Sequence, residues 1–149
     1  MKRTAFASLA AFAAISALTP DVSAQGREYV NPRHASEEGV LPFSGAVWVG
    51  DILFLSGTIG LENGQVPNEA AEEARLVMES IKGTLEAAGL TMDDLVSVQV
   101  YCSDVDLYDV FNRVYRTYFS QNFPARAFIG SGTLLFNARF EVMGIASRG

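Results

Sequence analysis

The 149-residue chain has a single cysteine, Cys102, and a single histidine, His34. One cysteine cannot close an intrachain disulfide, so stability must come from packing or from association with further copies. No Cys/His cluster at ligand spacing exists, which argues against a structural or catalytic zinc site. A Ser-His-Asp or Cys-His device would have to use His34, and nothing around it supports one. Basic clusters are lacking too: 11 Lys and Arg stand against 17 Asp and Glu, for a net charge of −6. Such a surface repels phosphate, so nucleic acid is not an expected partner. No Gly-rich phosphate loop follows a strand-like run, and no cofactor is expected.

Long apolar runs are absent except at the N-terminus. There Lys2 and Arg3 precede an uncharged stretch, residues 4–18, that is broken by Pro20 and Asp21. Its length suits the ~7–15 residue core of a secretory signal and falls short of the ~20 needed for a membrane anchor. Val22-Ser23-Ala24 supplies small or β-branched residues for a signal peptidase. Cleavage is therefore expected after Ala24, giving a secreted or periplasmic protein with no membrane attachment. Residues 25–149 then form one domain, inside the commonest size range of ~100–150 residues, and are one unit more acidic than the precursor.

The mature region opens with an irregular lead-in, residues 25–41, that shows neither helical nor strand periodicity. Ala46-Val47-Trp48 and Ile52-Leu53-Phe54-Leu55, separated by Val49-Gly50-Asp51, predict a hairpin. Asn68 reads as the N-cap of a helix, with Glu69, Glu72 and Glu73 in its first turns favouring the dipole. Ala74, Val77, Met78, Ile81, Leu85 and Ala88 form its buried stripe, and Gly89 its stop. Strict alternation predicts a half-buried strand with Val96, Val98, Val100 and Cys102 inside. A second helix begins near Asp106, with Leu107, Val110, Phe111, Val114, Tyr115 and Tyr118 as its apolar face. Residues 126–130 and 139–146 read as final strands, joined through Leu134-Leu135-Phe136. The order β-β-α-β-α-β-β implies an α+β fold, a single mixed sheet with two helices on one face. Both strand parities are poor in charge, so the other face also looks buried, most simply against copies of the same chain.

Two charges are out of keeping with their neighbours. Arg126 opens the otherwise uncharged strand Arg126-Ala127-Phe128-Ile129-Gly130, and Glu141 lies inside Phe140-Glu141-Val142-Met143. On composition alone, the favoured reading of each is a solvated edge-strand charge that discourages aggregation, since charges at strand ends are commonplace. Cys102, sharing its parity with three valines, reads as a small buried thiol rather than a nucleophile.

Pro124-Ala125-Arg126-Ala127 followed by Glu141 and Ile145-Ala146 resembles the C-terminal signature of the reactive intermediate deaminase (Rid, or YjgF) family. Pro42-Phe43-Ser44, Ser56-Gly57, the helix end Glu86-Ala87-Ala88-Gly89-Leu90, and Asn112 with Tyr115 and Phe119 extend the similarity over residues 40–146. The resemblance implies a homotrimer with clefts between subunits. It further implies a 2-iminobutanoate/2-iminopropanoate deaminase-like hydrolase that converts small 2-imino acids or enamines to 2-keto acids and ammonia. By that resemblance Arg126 holds the substrate carboxylate, Glu141 positions the hydrolytic water, and Phe43, Gly57 and Phe128 contact the ligand. The chemistry suits these types: a guanidinium fork binds a carboxylate bidentately, and a partly buried carboxylate can orient water and take its proton.

The chain departs from the family at Phe43, where a Tyr is usual, at Thr58, where a Gln is common, and in lacking the usual last-loop Pro. Phe128 stands where a Cys or Ser is usual, so only its main-chain carbonyl could serve in that role. Asn112 is read as an interface or helix-packing residue, and Tyr115 as core. A second reading therefore stays open, a non-catalytic trimer whose cleft binds a small carboxylate. A ribonuclease is disfavoured by the acidic charge and the lack of a basic groove or catalytic His.

Overall fold

The computed structural model describes residues 26–33 and 38–149. The expected leader, Gln25 and His34 lie outside the described residues. Among the described residues six strands form one sheet: β1 Arg27–Val30, β2 Ala46–Val49, β3 Ile52–Ile59, β4 Leu95–Cys102, β5 Ala125–Gly130 and β6 Phe140–Ser147. Their spatial order is β1-β2-β3-β6-β4-β5. Only β4 and β5 run parallel, with helix α2, Tyr108–Tyr115, in the connection between them. Helix α1, Ala70–Ala87, packs over β3 and β6 and against α2. The expected α+β architecture is thus the observed one.

The hydrophobic pattern explains most of these elements. A two-residue turn at Gly50-Asp51 joins β2 and β3, with Gly50 at φ 61° where an L side chain would be strained. In α1, Ala74, Val77, Met78, Ile81 and Leu85 are fully buried. The helix closes in a Schellman motif: Leu90 N–H donates to Leu85 C=O at 2.9 Å, Gly89 N–H donates to Glu86 C=O at 3.0 Å, and Gly89 sits at φ 76°. Asp104 accepts from the Asp106 N–H and starts a 3-10 turn, Val105–Leu107, that leads into α2. Phe111 and Tyr115 are the buried residues of its apolar face.

Four local expectations are corrected. The lead-in contains a strand, β1, recruited antiparallel along the free edge of β2 although only Val30 of its residues is buried. The cap of α1 is Glu69, not Asn68, and makes no side-chain capping bond; the Asn68 carbonyl is instead taken by Arg139. Val96 is 48% exposed, because a register shift between Leu95 and Ser97 breaks the alternation and puts Leu95 inside.

The fourth correction concerns Glu73, which does not face solvent in the first turn but is fully buried. Its Oε1 accepts from the main-chain N–H groups of Arg139, at 2.6 Å, and Phe140, at 3.1 Å. Its Oε2 takes the Arg139 guanidinium at 2.5 Å. The same guanidinium donates to the carbonyls of Pro67 and Asn68. One buried ion pair therefore ties the start of α1, the loop before it and the start of β6 together. It fixes the strand on which Glu141 lies.

On the sheet face away from the helices, Tyr29 lies opposite Val47, Val47 opposite Phe54, and Phe54 opposite Ile145. Tyr29, Phe54, Ile129 and Met143 are 37–50% exposed in the single chain. This apolar row matches the expectation that the open face is poor in charge.

Candidate functional site

The residues singled out from the sequence fall into two groups on opposite faces of the sheet. Glu141 is paired with Ile59 and Tyr101 and points to the open face. Arg126 is paired with Val98, which faces the helices, and contacts α2.

Around Glu141 lies a cavity of about 590 Å³ with Phe43, Gly57, Leu135 and Phe136 in its walls. The β3 register shifts between Leu55 and Thr58, so that Gly57 sits in a bulge beside Glu141. A Cβ at Gly57 would overlap the Glu141 carboxylate. Gly57 therefore belongs here not through a side chain of its own but by leaving space for the acid. Thr58 is turned to α1, where its hydroxyl is 2.9 Å from that of Ser80. Gly57→Ala is expected to displace the carboxylate, and, if the hydrolysis that the family resemblance implies runs at Glu141, to lower its turnover by ~10²-fold, the scale of an ångström's misplacement of a reacting group. Steady-state kinetics alongside a thermal melt would check that the fold survives.

Arg126 stands at the other group. Its Nη2 donates to Asn112 Oδ1 at 2.7 Å, and its guanidinium carbon lies 4.5 Å from the Tyr115 ring centroid, with Tyr108 and Phe128 within 6 Å. Phe128 packs edge-on against Tyr108 and Phe111, so its ring walls the arginine and does not reach the Glu141 cavity. Asn112, 9% exposed, is thus more than a packing residue: it orients the fork. Beside the guanidinium is a recess of about 160 Å³ bordered by Tyr115, Arg116, Phe123 and Pro124. Among the described residues no carboxylate pairs with Arg126. A half-buried cation with an aromatic wall and no counter-ion has the chemistry to receive an anion.

Tyr115 is buried, and its hydroxyl has no hydrogen-bond partner among the described residues. Burial pushes its pKa up to about 12, so it is a neutral phenol at any working pH. An unsatisfied buried hydroxyl costs ~1–3 kcal/mol, so Tyr115→Phe is expected to leave the melting temperature unchanged or raised. A clear fall would mean that the hydroxyl has a partner. Cys102 is the expected buried thiol: its Sγ donates to the Asp104 carbonyl, and burial raises its pKa. Among the described residues no group of three His, Cys, Asp or Glu side chains converges as a metal site.

The sequence reading missed Leu135, Phe136 and the orienting role of Asn112. The first two look like loop filler, and only their size and apolarity in a turn mark them.

The family model described as Endoribonuclease L-PSP matches residues 35–148. The chain is 39% identical over 110 residues to a RutC family protein of Saccharolobus solfataricus, covering 72% of this chain and 87% of that one. It is 34% identical over 111 residues to the human 2-iminobutanoate/2-iminopropanoate deaminase, covering 72% and 81%. Among solved structures, Escherichia coli TdcF with bound serine superposes with a TM-score of 0.70 at 28% identity, covering 74% of this chain and 91% of that one. The Rid protein YyfA of Yersinia pestis does so with a TM-score of 0.74 at 27% identity, covering 83% and 100%. The chain belongs to the Endoribonuclease L-PSP family, the Rid/YjgF group.

Proposed function

We propose that this protein hydrolyses 2-imino acids to 2-keto acids and ammonia, in a cleft built from the Arg126 recess of one copy and the Glu141 cavity of its neighbour. The observation that carries this reading is the division of the two groups between opposite sheet faces. One chain cannot offer both to one small molecule, whereas two copies can. The exposed apolar row on the open face supplies surface for such an association, and a homotrimer is the assembly that the family resemblance implies.

In that cleft the Arg126 fork, oriented by Asn112, holds the substrate carboxylate and leaves the C=N carbon near Glu141. Water attacks the carbon of the protonated imine as the Glu141 carboxylate takes one of its protons, giving a neutral carbinolamine. Glu141 returns that proton to the amine, the C–N bond breaks as the hydroxyl oxygen forms the C=O bond, and the departing ammonia takes the hydroxyl proton, leaving the keto acid, ammonium and the free carboxylate. The bound serine in TdcF and the deaminase named among the relatives support the substrate class, a small carboxylate bearing nitrogen at C2. The net charge of −6 speaks against an RNA substrate. One observation favours the non-catalytic, carboxylate-binding reading, namely Phe43, which brings no hydroxyl to the cavity.

The test is direct. The mature protein, expected to begin at Gln25 and to be exported, should run at about three times the protomer mass in light scattering. It should also accelerate hydrolysis of an imino acid made in situ by an amino-acid oxidase. No acceleration, combined with carboxylate binding, would decide for the binding protein.

A further inference from the structure

The turn carrying Leu135 and Phe136 combines strain with exposure. Phe136 has φ 55° and ψ 22°, and Asn137 follows with φ 56°. A bulky residue in the left-handed region is an outlier that costs ~1–3 kcal/mol, and such strain concentrates at ligand sites. Nothing described in the chain offsets it: Phe136 is 67% exposed, Leu135 is 70% exposed, and no aromatic ring of the described residues stacks on Phe136. Yet the turn is held firmly. Asn137 N–H donates to Leu134 C=O and Ala138 N–H to Leu135 C=O, Ala138 is buried, and the next residue is Arg139, gripped by Glu73.

The strained turn therefore displays two large apolar side chains at the rim of the Glu141 cavity. Leu41, Phe43, Ile59 and Leu61 continue that lining. At about 590 Å³ the space is in the range of sites that enclose ligands well beyond a two- or three-carbon chain.

We propose that Phe136, with Leu135, determines specificity, and that the cavity selects 2-imino acids with a large apolar or aromatic side chain over small ones. This deepens the deaminase reading and rests on it for turnover, but not for binding. The carboxylate goes to Arg126, the reacting carbon to Glu141, and the side chain into the Leu41, Phe43, Leu61, Leu135 and Phe136 lining. Burial of several additional carbons favours the larger substrate by at least ~10-fold, since a single methylene is worth 10-fold or more in an apolar pocket.

The experiment compares kcat/KM for imino acids generated by an amino-acid oxidase from phenylalanine and from alanine, and binding of phenylpyruvate and pyruvate by calorimetry. It uses the wild type, Phe136→Gly and Phe136→Asn. Glycine and asparagine both accept φ near +55°, so each variant keeps the turn while removing the ring. Thermal melts are expected to hold or rise. The wild type should prefer the phenylalanine-derived substrate by at least ~10-fold, and both variants should shrink that ratio at least ~10-fold, mainly through KM.

Equal or reversed preference in the wild type would overturn the proposal. So would a ratio unchanged in the variants, or variants that lose both substrates equally while falling apart into monomers, the behaviour of an interface residue. If neither imine is turned over but phenylpyruvate binds more tightly than pyruvate, and the variants lose that preference, the deaminase reading fails and the pocket assignment stands. No binding and no turnover overturns both.

Discussion

Arg126→Ala is expected to remove imine hydrolysis, lowering kcat/KM by at least ~100-fold. A charge-assisted contact to a carboxylate contributes ~1.5–3 kcal/mol, or roughly 10- to 150-fold, and loss of the orientation that it imposes adds to that. The setting places the effect at the upper end. The guanidinium is half-buried, fixed by Asn112 at 2.7 Å, and backed by Tyr115 at 4.5 Å. Arg126→Lys should recover little, because an ammonium keeps the charge but loses the planar fork. Glu141→Gln should act differently, lowering kcat more than substrate affinity, since the shape stays and the proton acceptor goes. Arg126→Ala with kinetics and keto-acid binding both intact would show that the anion goes elsewhere.

The second large effect is on stability. Glu73→Ala should destabilise the fold by ~3–5 kcal/mol, the cost of removing one partner from a buried ion pair, or a drop on the order of 10 °C in melting temperature. The carboxylate is fully buried and serves the Arg139 guanidinium and two main-chain N–H groups. Glu73→Gln keeps an acceptor for some of these and should cost less. The Arg139 end retains access to water, which brings the expectation towards the lower figure. A change of under ~1 kcal/mol in a denaturant titration would mean that the pair is only a surface bridge. Because the same contacts hold the start of β6, activity should fall further than the melt predicts.

That pair also marks where sequence reasoning stopped. A glutamate in the first turn of a helix reads as a dipole partner, and its true partner is 66 residues away. The available signal was position: Glu73 lies four residues before Val77 and eight before Ile81, on the buried stripe. β1 was invisible for the opposite reason. Arg27-Glu28-Tyr29-Val30 has no apolar alternation, because an edge strand there needs only the main-chain pairing that β2 offers. The bulge at Val96 could not be foreseen from an alternation that looked unbroken, since it depends on the register with β6.

By contrast, the helices, the hairpin and the covered face followed from period and turn chemistry, and the candidate charges from their isolation. What a lone charge cannot reveal is its face relative to another strand's charge. Arg126 and Glu141 are legible as candidates, whereas their separation depends on the pairing of β5, β4 and β6.

That separation makes subunit complementation the most direct measurement of the central claim. Arg126→Ala and Glu141→Gln chains, each inactive alone, are unfolded together in equal amounts and allowed to reassemble. If each site takes its arginine from one copy and its glutamate from the next, random assembly leaves about a quarter of the sites intact. Activity should return to about a quarter of that of wild-type protein treated in the same way. Activity no higher than that of either variant alone, in a mixture shown by mass to have exchanged subunits, would contradict a site shared between copies.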